Sequence, residues 1–290
     1  MAKSRRTPYV PRNISGDSQR LRNHVGMVLD PCNSVLGPTA YRGSDGFVTR
    51  FRNIIAAGTT TANPYYVSIF YPAYNGVFLS GYSAATSVVT PVYTTAGPGQ
   101  PFLLSNADSQ RVIGACTRIN YLGSELNRQG ILYRGVVPES AVAGSTINQL
   151  IALCQANERT PDHPLETKFI PSSIDEQYWD TGSVAPSEAG DRNVIVTVMF
   201  GGTTVDLNTY LEHTLICEWR PKFGSGLVVP TPNTGDVPSG LERVRSALSK
   251  LGDWWLSASH TAGQAIMTGA QMYKGTQRLV GAARLAIAAA

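Results

Sequence analysis

Short segments of alternating apolar and polar residues, separated by glycine, proline, serine and threonine, constrain the fold of this chain more than any other feature. The clearest is residues 211–221 (LEHTLICEWRP), in which Leu211, Leu215 and Trp219 share one face. A period of two is typical of a β-strand with one buried face. His213 shares that apolar face, so we expect it to be a core residue with satisfied hydrogen bonds rather than a metal ligand.

Further strands are predicted from β-branched and aromatic residues bounded by turn residues. They are residues 47–56, 65–71, 77–82, 111–123 and 193–200. The apolar face of the fourth is predicted to hold Ile113, Ala115, Ile119 and Tyr121. The last is apolar on both faces, as expected of a central strand. Many short strands with little helix predict an all-β sandwich or jelly roll.

Two helices are predicted. Ser145 can cap the first, in which apolar residues recur at three- and four-residue steps up to Cys154. The second begins with a capping box formed by Ser239 and Glu242. Its apolar stripe and the tryptophans at its end are Leu241, Val244, Leu248, Leu251, Trp254 and Trp255. With cations on the other faces, this is the composition of a helix that lies in a membrane interface. Packing of the same stripe inside an assembly is the favoured interpretation at rest, because exposure of two tryptophans to water would lose burial, and the two roles need not exclude each other.

Positive charge is concentrated at the two ends of the chain. Residues 1–25 hold six basic residues and one acidic residue, residues 240–290 have a net charge of +4, and the segment between has a net charge of −5. We predict a disordered basic arm over residues 1–25, because apolar periodicity is missing there. Cations that neutralise phosphates release counterions, so a polyanion is the favoured partner and a solubilising tail is the alternative. The candidate RNA-binding residues are Lys3, Arg5, Arg6, Arg12, Arg20 and Arg22.

The cysteines do not have the spacing of a metal site or the density of a secreted disulfide scaffold. We therefore expect reduced core cysteines and no zinc. The four are Cys32, Cys116, Cys154 and Cys217. The sequence also predicts no signal peptide and no membrane-spanning segment.

Enzyme motifs are missing from the sequence, including the phosphate-binding loop, the zinc-protease helix and the hydrolase nucleophile elbow. We predict no enzymatic activity and no cofactor other than a candidate calcium ion at subunit interfaces. Its candidate ligands are Asp175, Glu176 and Asp180. A solvated loop is the favoured interpretation of this cluster, because calcium takes about six to eight oxygen ligands.

In their order along the chain, these segments resemble the capsid proteins of small positive-strand RNA viruses, the nodaviruses and the related tombus-like group. The most specific parts are the strand pair around residues 111–137, the ICEWRP ending of the last strand, and the ERVRSALSKL opening of the tail. The resemblance implies a single eight-stranded jelly roll that tiles an icosahedral shell. Residues 1–25 would be the RNA-binding arm, 26–229 the shell domain and 230–290 a linker with a helical, membrane-active tail.

The resemblance also implies self-association, packaging of genomic RNA and transient contact with a host membrane. The chain would be located in the virion after assembly in the host cytoplasm. A T=3 shell is favoured, and a T=1 shell is the alternative. Two other classes of function are alternatives: a non-viral β-sandwich binding module such as a lectin, and an enzyme on a β-sandwich.

A maturation cleavage is a further implication of the resemblance. In insect nodaviruses an acidic side chain promotes cleavage at an asparagine before the tail. The nearest counterparts here are Asp30 and Asn233, although Thr234 follows the asparagine and the linker is short. Asp30 would act as a general acid only if burial raised its pKa, so the absence of cleavage is the favoured expectation.

Overall fold

The computed structural model describes residues 16–39, 46–121, 130–159, 163–172, 174–175, 177–180, 192–201, 209–223 and 227. The helices in this part are α1 (Gly16–Leu29), α2 (Gln100–Asn106) and α3 (Ile147–Leu153). The strands are β1 (Phe47–Ala57), β2 (Tyr65–Tyr71), β3 (Gly76–Tyr82), β4 (Thr95–Ala96), β5 (Ala107–Tyr121), β6 (Ile131–Pro138), β7 (Ala156–Arg159), β8 (Leu165–Phe169), β9 (Trp179–Asp180), β10 (Asn193–Phe200) and β11 (Thr209–Pro221). None of the described helices is both long and apolar enough to cross a membrane.

The strands form two antiparallel sheets. The first sheet has the order β1-β11-β5-β8, with β9 also paired to β5, and the second has the order β4-β3-β2-β10-β6-β7. The chain crosses from one sheet to the other between β1 and β2, β4 and β5, β5 and β6, β7 and β8, β9 and β10, and β10 and β11. Two four-stranded sets with these crossings make a jelly roll. The predicted all-β jelly-roll class is confirmed, although the described residues contain eleven strands rather than the predicted eight, with β3, β4 and β9 outside the two four-stranded sets.

The core lies between the sheets and continues beneath two helices. Phe70 and Val77 of the second sheet pack with Leu215 and Trp219 of the first. On the opposite face of the second sheet, α3 packs against alternate residues of β10. Because both faces of β10 are covered, the prediction of a doubly apolar central strand is confirmed.

The strand β5 contains an irregularity that changes which face its residues occupy. Val112 and Gly114 pair with consecutive residues of β11, which leaves Ile113 between them as an extra residue. Such a bulge reverses the alternation of side chains. Ile113 therefore packs with Met27 of α1 on the outer face, whereas Ala115 packs in the core between the sheets. The predicted face is wrong for Ile113.

The helices depart from the sequence predictions in two ways. The cap of α3 is Thr146 rather than Ser145, and it forms a capping box with Gln149. Helix α1 was not predicted at all, and it includes residues 16–25 of the predicted disordered arm. The boundary of that arm is therefore wrong. An isolated helix of this length is marginal in water, so tertiary packing rather than local sequence stabilises α1.

Candidate functional site on the first sheet

The outer face of the first sheet is covered by the segment 16–39, which we call the N-terminal strap. Its helix α1 packs Met27 and Val28 against Ile113 of β5 and Ile216 of β11. The approach is close, since a Cβ atom added to Gly114 would lie 2.7 Å from the carbonyl oxygen of Met27. Glycine at this position allows the strap to lie directly on the central strands.

A disulfide fastens the strap to the sheet. It joins Cys32, just after α1, to Cys116 of β5, and their Cα atoms are 5.9 Å apart. The prediction that these two cysteines are reduced is wrong, because the fold brings together residues that are 84 positions apart in the sequence. Cys154 and Cys217 are free, as predicted. Burial raises the pKa of Cys154 to about 12, so its thiol is a weak nucleophile at neutral pH.

Charged side chains of β5 and β8 surround the disulfide and bind the strap. An Nη2 atom of Arg118 lies 2.7 Å from the Glu166 carboxylate and donates to Asn33 Oδ1 at 2.6 Å. Lys168 Nζ lies 2.9 Å from Asp30 Oδ1. Burial alone would raise the pKa of Glu166, but hydrogen bonds from Arg118 and Asn33, together with the positive charges of Lys168 and Arg118, outweigh it and lower the pKa below its usual value. The carboxylate is therefore held ionised.

Two arginines on the outer face of β1 bind the other side of the same loop. The Arg50 guanidinium donates to the carbonyl oxygen of Ser34, and also to its Oγ atom at 2.8 Å. Arg52 donates to the carbonyl oxygen of Cys32 at 3.0 Å, and its Nε atom lies 3.4 Å from the Glu212 carboxylate. The loop that carries Cys32 is thus held by side chains from both halves of the sheet.

The far end of the strap is held by a buried carboxylate. Glu218 of β11 is fully buried, and its Oε2 atom accepts hydrogen bonds from Thr39 at 2.9 Å and from Arg111 Nε at 2.8 Å. Its Oε1 atom accepts a hydrogen bond from the Gly46 backbone N–H at 2.6 Å. The Tyr178 ring lies beside this pair, with the Arg111 guanidinium 4.4 Å from its centroid. Burial, with Glu218 nearby, raises the pKa of Tyr178 to about 12.

Helix α1 holds two of the candidate RNA-binding residues and a buried histidine. Arg20 Nε donates to the carbonyl oxygen of Thr39, and Arg22 is half-buried. Both therefore belong to the strap rather than to an unstructured arm. Burial, with the positive charges of Arg111 and Arg20, lowers the pKa of His24 to about 4. The other candidates lie outside the described residues: Lys3, Arg5, Arg6 and Arg12.

The acidic cluster proposed for calcium is only partly described. Asp175 is buried, and its Oδ2 atom accepts hydrogen bonds from the N–H and Oγ of Ser172, both at 2.8 Å. Its Oδ1 atom lies 3.4 Å from Arg192, whose guanidinium is 3.6 Å from the Trp179 ring centroid. The side chains of Glu176 and Asp180 are outside the described part. Within that part, no three His, Cys, Asp or Glu side chains are grouped as a metal site would require.

His213 is buried in the core, as predicted. Its Nδ1 atom shares a 2.9 Å hydrogen bond with Thr117 Oγ1, and its ring packs against Phe70. Burial lowers the pKa of His213 to about 3. The ring is neutral at physiological pH, which suits a core position. The expectation that both ring nitrogens of His213 form hydrogen bonds is wrong for Nε2, which has no hydrogen-bond partner among the described residues.

The cleavage and tail predictions have little counterpart in the described residues. The Asp30 side chain is 42% exposed and paired with Lys168, so it lacks the burial that a protonated general acid would need. Asn233 lies outside the described residues. So do the tail residues Leu241, Val244, Leu248, Leu251, Trp254 and Trp255.

The comparisons with known proteins identify the fold. No protein-family model matches this chain, and neither does any curated protein. A chain in the structure of infectious bursal disease virus is 8% identical, with a TM-score of 0.56, and the match covers 78% of this chain and 94% of that one. Matches to Cocksfoot mottle virus and to a semi-empty virus-like particle of the Macrobrachium rosenbergii nodavirus are each 11% identical. The Cocksfoot mottle virus match covers 66% of this chain and 92% of the viral chain, with a TM-score of 0.42. The nodavirus match covers 61% of this chain and 96% of the viral chain, with a TM-score of 0.36. The likeness to the infectious bursal disease virus chain shows a shared fold, in agreement with the jelly-roll topology.

Proposed function

We propose that this chain is the capsid protein of a small RNA virus and that it self-associates into a closed icosahedral shell. The observation that carries the proposal is a jelly roll whose N-terminal strap lies across one sheet and is held there by a disulfide and hydrogen bonds. In the sequence, a basic segment comes directly before this strap. Residues 1–15 contain four basic residues and no acidic one. Such an arrangement suits a shell subunit that contacts a polyanion through one terminus.

Exposed apolar side chains support self-association. Val35 is 79% exposed, Ile54 is 66% exposed and Phe223 is fully exposed, and they lie on the strap, on β1 and after β11 respectively. Large apolar side chains at separate places on one domain suit a subunit that contacts several neighbours, since shell contacts would remove them from water. A nodavirus-like or tombus-like subunit in a T=3 shell is the finer assignment that we propose.

Genomic RNA is the proposed partner of the N-terminal segment. Its cations would neutralise phosphates without reading the base sequence, so affinity would depend on salt rather than on a sequence motif. The C-terminal segment would contact a host membrane transiently through the apolar stripe of residues 241–255, and the chain would assemble in the host cytoplasm and reside in the virion. A calcium ion at subunit contacts stays a candidate only.

Electron microscopy of the expressed full-length protein, purified by size exclusion, tests this proposal. The expected result is a population of uniform closed shells in the void fraction. A lectin-like binding module would instead elute as a small oligomer and show no particles. That second outcome would reject the capsid function while leaving the jelly-roll fold unaffected.

A further inference from the structure

We propose that the Cys32–Cys116 disulfide is a reducible latch that controls whether the N-terminal strap stays on the first sheet. This inference goes beyond the proposed function, because it concerns the attachment of the strap within one subunit. It would hold for an isolated subunit as well as for a shell.

The disulfide joins the strap directly to a central strand of the first sheet. Cys32 lies in the loop that follows α1, and Cys116 lies on β5, between β11 and β8 in the first sheet. Apart from the main chain that leads into β1, this is the only covalent link between the strap and the sheet within the described residues. Breaking it leaves the loop that carries Cys32 held on the sheet by non-covalent contacts.

The remaining contacts around the loop are hydrogen bonds and ion pairs, several of them made by partly exposed side chains. The Lys168–Asp30 pair is partly exposed on both sides, and the Arg52–Glu212 pair is half-exposed at the arginine. Exposed ion pairs contribute little to stability, because water and salt screen them. The apolar contact of α1 is small, since its buried apolar side chains are Val25, Met27 and Val28. A helix of 14 residues with so small an apolar face depends on its attachments.

The chemistry of the latch is thiol–disulfide exchange. A thiolate of a small monothiol reductant, of the glutathione class, attacks one sulfur and forms a mixed disulfide, while the other cysteine leaves as a thiolate. A second reductant thiolate then attacks the mixed disulfide. In total, two reductant thiols lose two electrons and two protons and become one disulfide, and Cys32 and Cys116 become thiols. A small disulfide oxidant reverses each step.

The surroundings of the protein set the state of the latch. The cytosol keeps thiols reduced, whereas conditions outside the cell favour disulfides. The strap is therefore locked to the sheet in oxidising surroundings and opens more readily in reducing ones. Cys32 is buried, so the reductant gains access when the loop opens locally, beginning at the exposed residues Asn33 and Val35.

Hydrogen–deuterium exchange of the full-length protein tests the latch. Non-reducing peptide mapping of protein treated with oxidised glutathione should first yield a peptide that links Cys32 to Cys116. Addition of reduced glutathione should then speed exchange in residues 16–36 at least about tenfold, while exchange in β10 stays unchanged. Absence of the linked peptide, an unchanged strap, or equal acceleration in β10 would each overturn the proposal.

Two variants make the test specific. The double variant Cys32→Ala/Cys116→Ala should exchange in the strap at the reduced rate and should not respond to glutathione. The matched control Cys154→Ser removes a free cysteine, so it should respond as the wild type does. Loss of the response in this control would assign the effect to another thiol and overturn the proposal. Particle formation is not the measured quantity, so the failure of the latch and the failure of the capsid function are distinguishable.

Discussion

The substitution Glu218→Gln should destabilise the domain strongly while conserving side-chain volume. The Glu218 carboxylate is fully buried and accepts hydrogen bonds from Thr39, Gly46 and Arg111. An amide at this position would carry no charge and would turn an N–H₂ group towards one set of those donors. The Arg111 guanidinium, which is only 4% exposed, would then be left without its counter-ion.

The structure sets the magnitude of this effect. Removing one partner of a buried ion pair costs about 3–5 kcal/mol, because the remaining charge is uncompensated. For a domain of this size, each kcal/mol lowers the melting temperature by roughly 2–4 °C, so we expect a decrease of about 6–20 °C. Glu166→Gln is the matched control, since its ion pair with Arg118 is partly exposed and should contribute less than about 1 kcal/mol.

Urea unfolding of the unassembled subunit, followed by far-ultraviolet circular dichroism, measures both variants. A double variant with Arg111→Met should lose less stability than the sum of the two single variants, because it removes both charges together. If Glu218→Gln unfolds within about 1 kcal/mol of the wild type, the buried Glu218–Arg111 pair between β11 and β5 does not stabilise the domain as expected.

Three further predictions follow from the termini and the buried histidines. Deleting residues 1–15 should leave the jelly roll folded and reduce packaged RNA. A peptide of those residues should bind single-stranded RNA with a logarithmic salt slope of about −3, as expected for four phosphate contacts, and an equal RNA content in the deletion particles would count against the arm. The folded-state pKa is lowered to about 4 for His24 and about 3 for His213, below the unfolded-state value near 6.5. The free energy of unfolding should therefore have its full value above about pH 6.5 and should decrease by about 1.4 kcal/mol per pH unit for each histidine as the pH falls towards the folded-state pKa. A flat urea midpoint between pH 7 and pH 5 would contradict this. A peptide of residues 240–290 should release dye from liposomes, and the same peptide with Leu248, Leu251 and Trp255 changed to Ser should not; equal leakage from both would reject the membrane role.

The faces of the strands could be predicted where the alternation is unbroken. In β11, Leu215, Cys217 and Trp219 pack in the core as their spacing indicated, and β10 is central because both of its faces are apolar. Local residue preferences are sufficient here, since the period of a strand is fixed by its geometry. The number and length of such strands indicated an all-β sandwich or jelly roll, and the resemblance to capsid proteins implied the jelly roll.

The candidate site was harder to predict, because it depends on contacts between distant residues. Ile113 occupies the unexpected face because of one extra residue in the pairing with β11, and periodicity alone cannot reveal a bulge. Glu218 falls on the polar face of β11, yet the strap buries it. The Cys32–Cys116 pair and helix α1 were missed for the same reason, since only the folded chain places the strap over β5. The presence of several cysteines could have suggested a disulfide as an alternative to reduced thiols. It could not have shown which two cysteines are joined or where in the fold the bond lies.

Sedimentation velocity of the purified full-length protein, monitored at both protein and nucleic-acid absorbance wavelengths, tests the central claim most directly. We expect one fast, narrow boundary in which nucleic acid sediments with the protein, as for a uniform RNA-filled shell. A slow boundary of monomers or small oligomers, free of nucleic acid in assembly conditions, would contradict the capsid function.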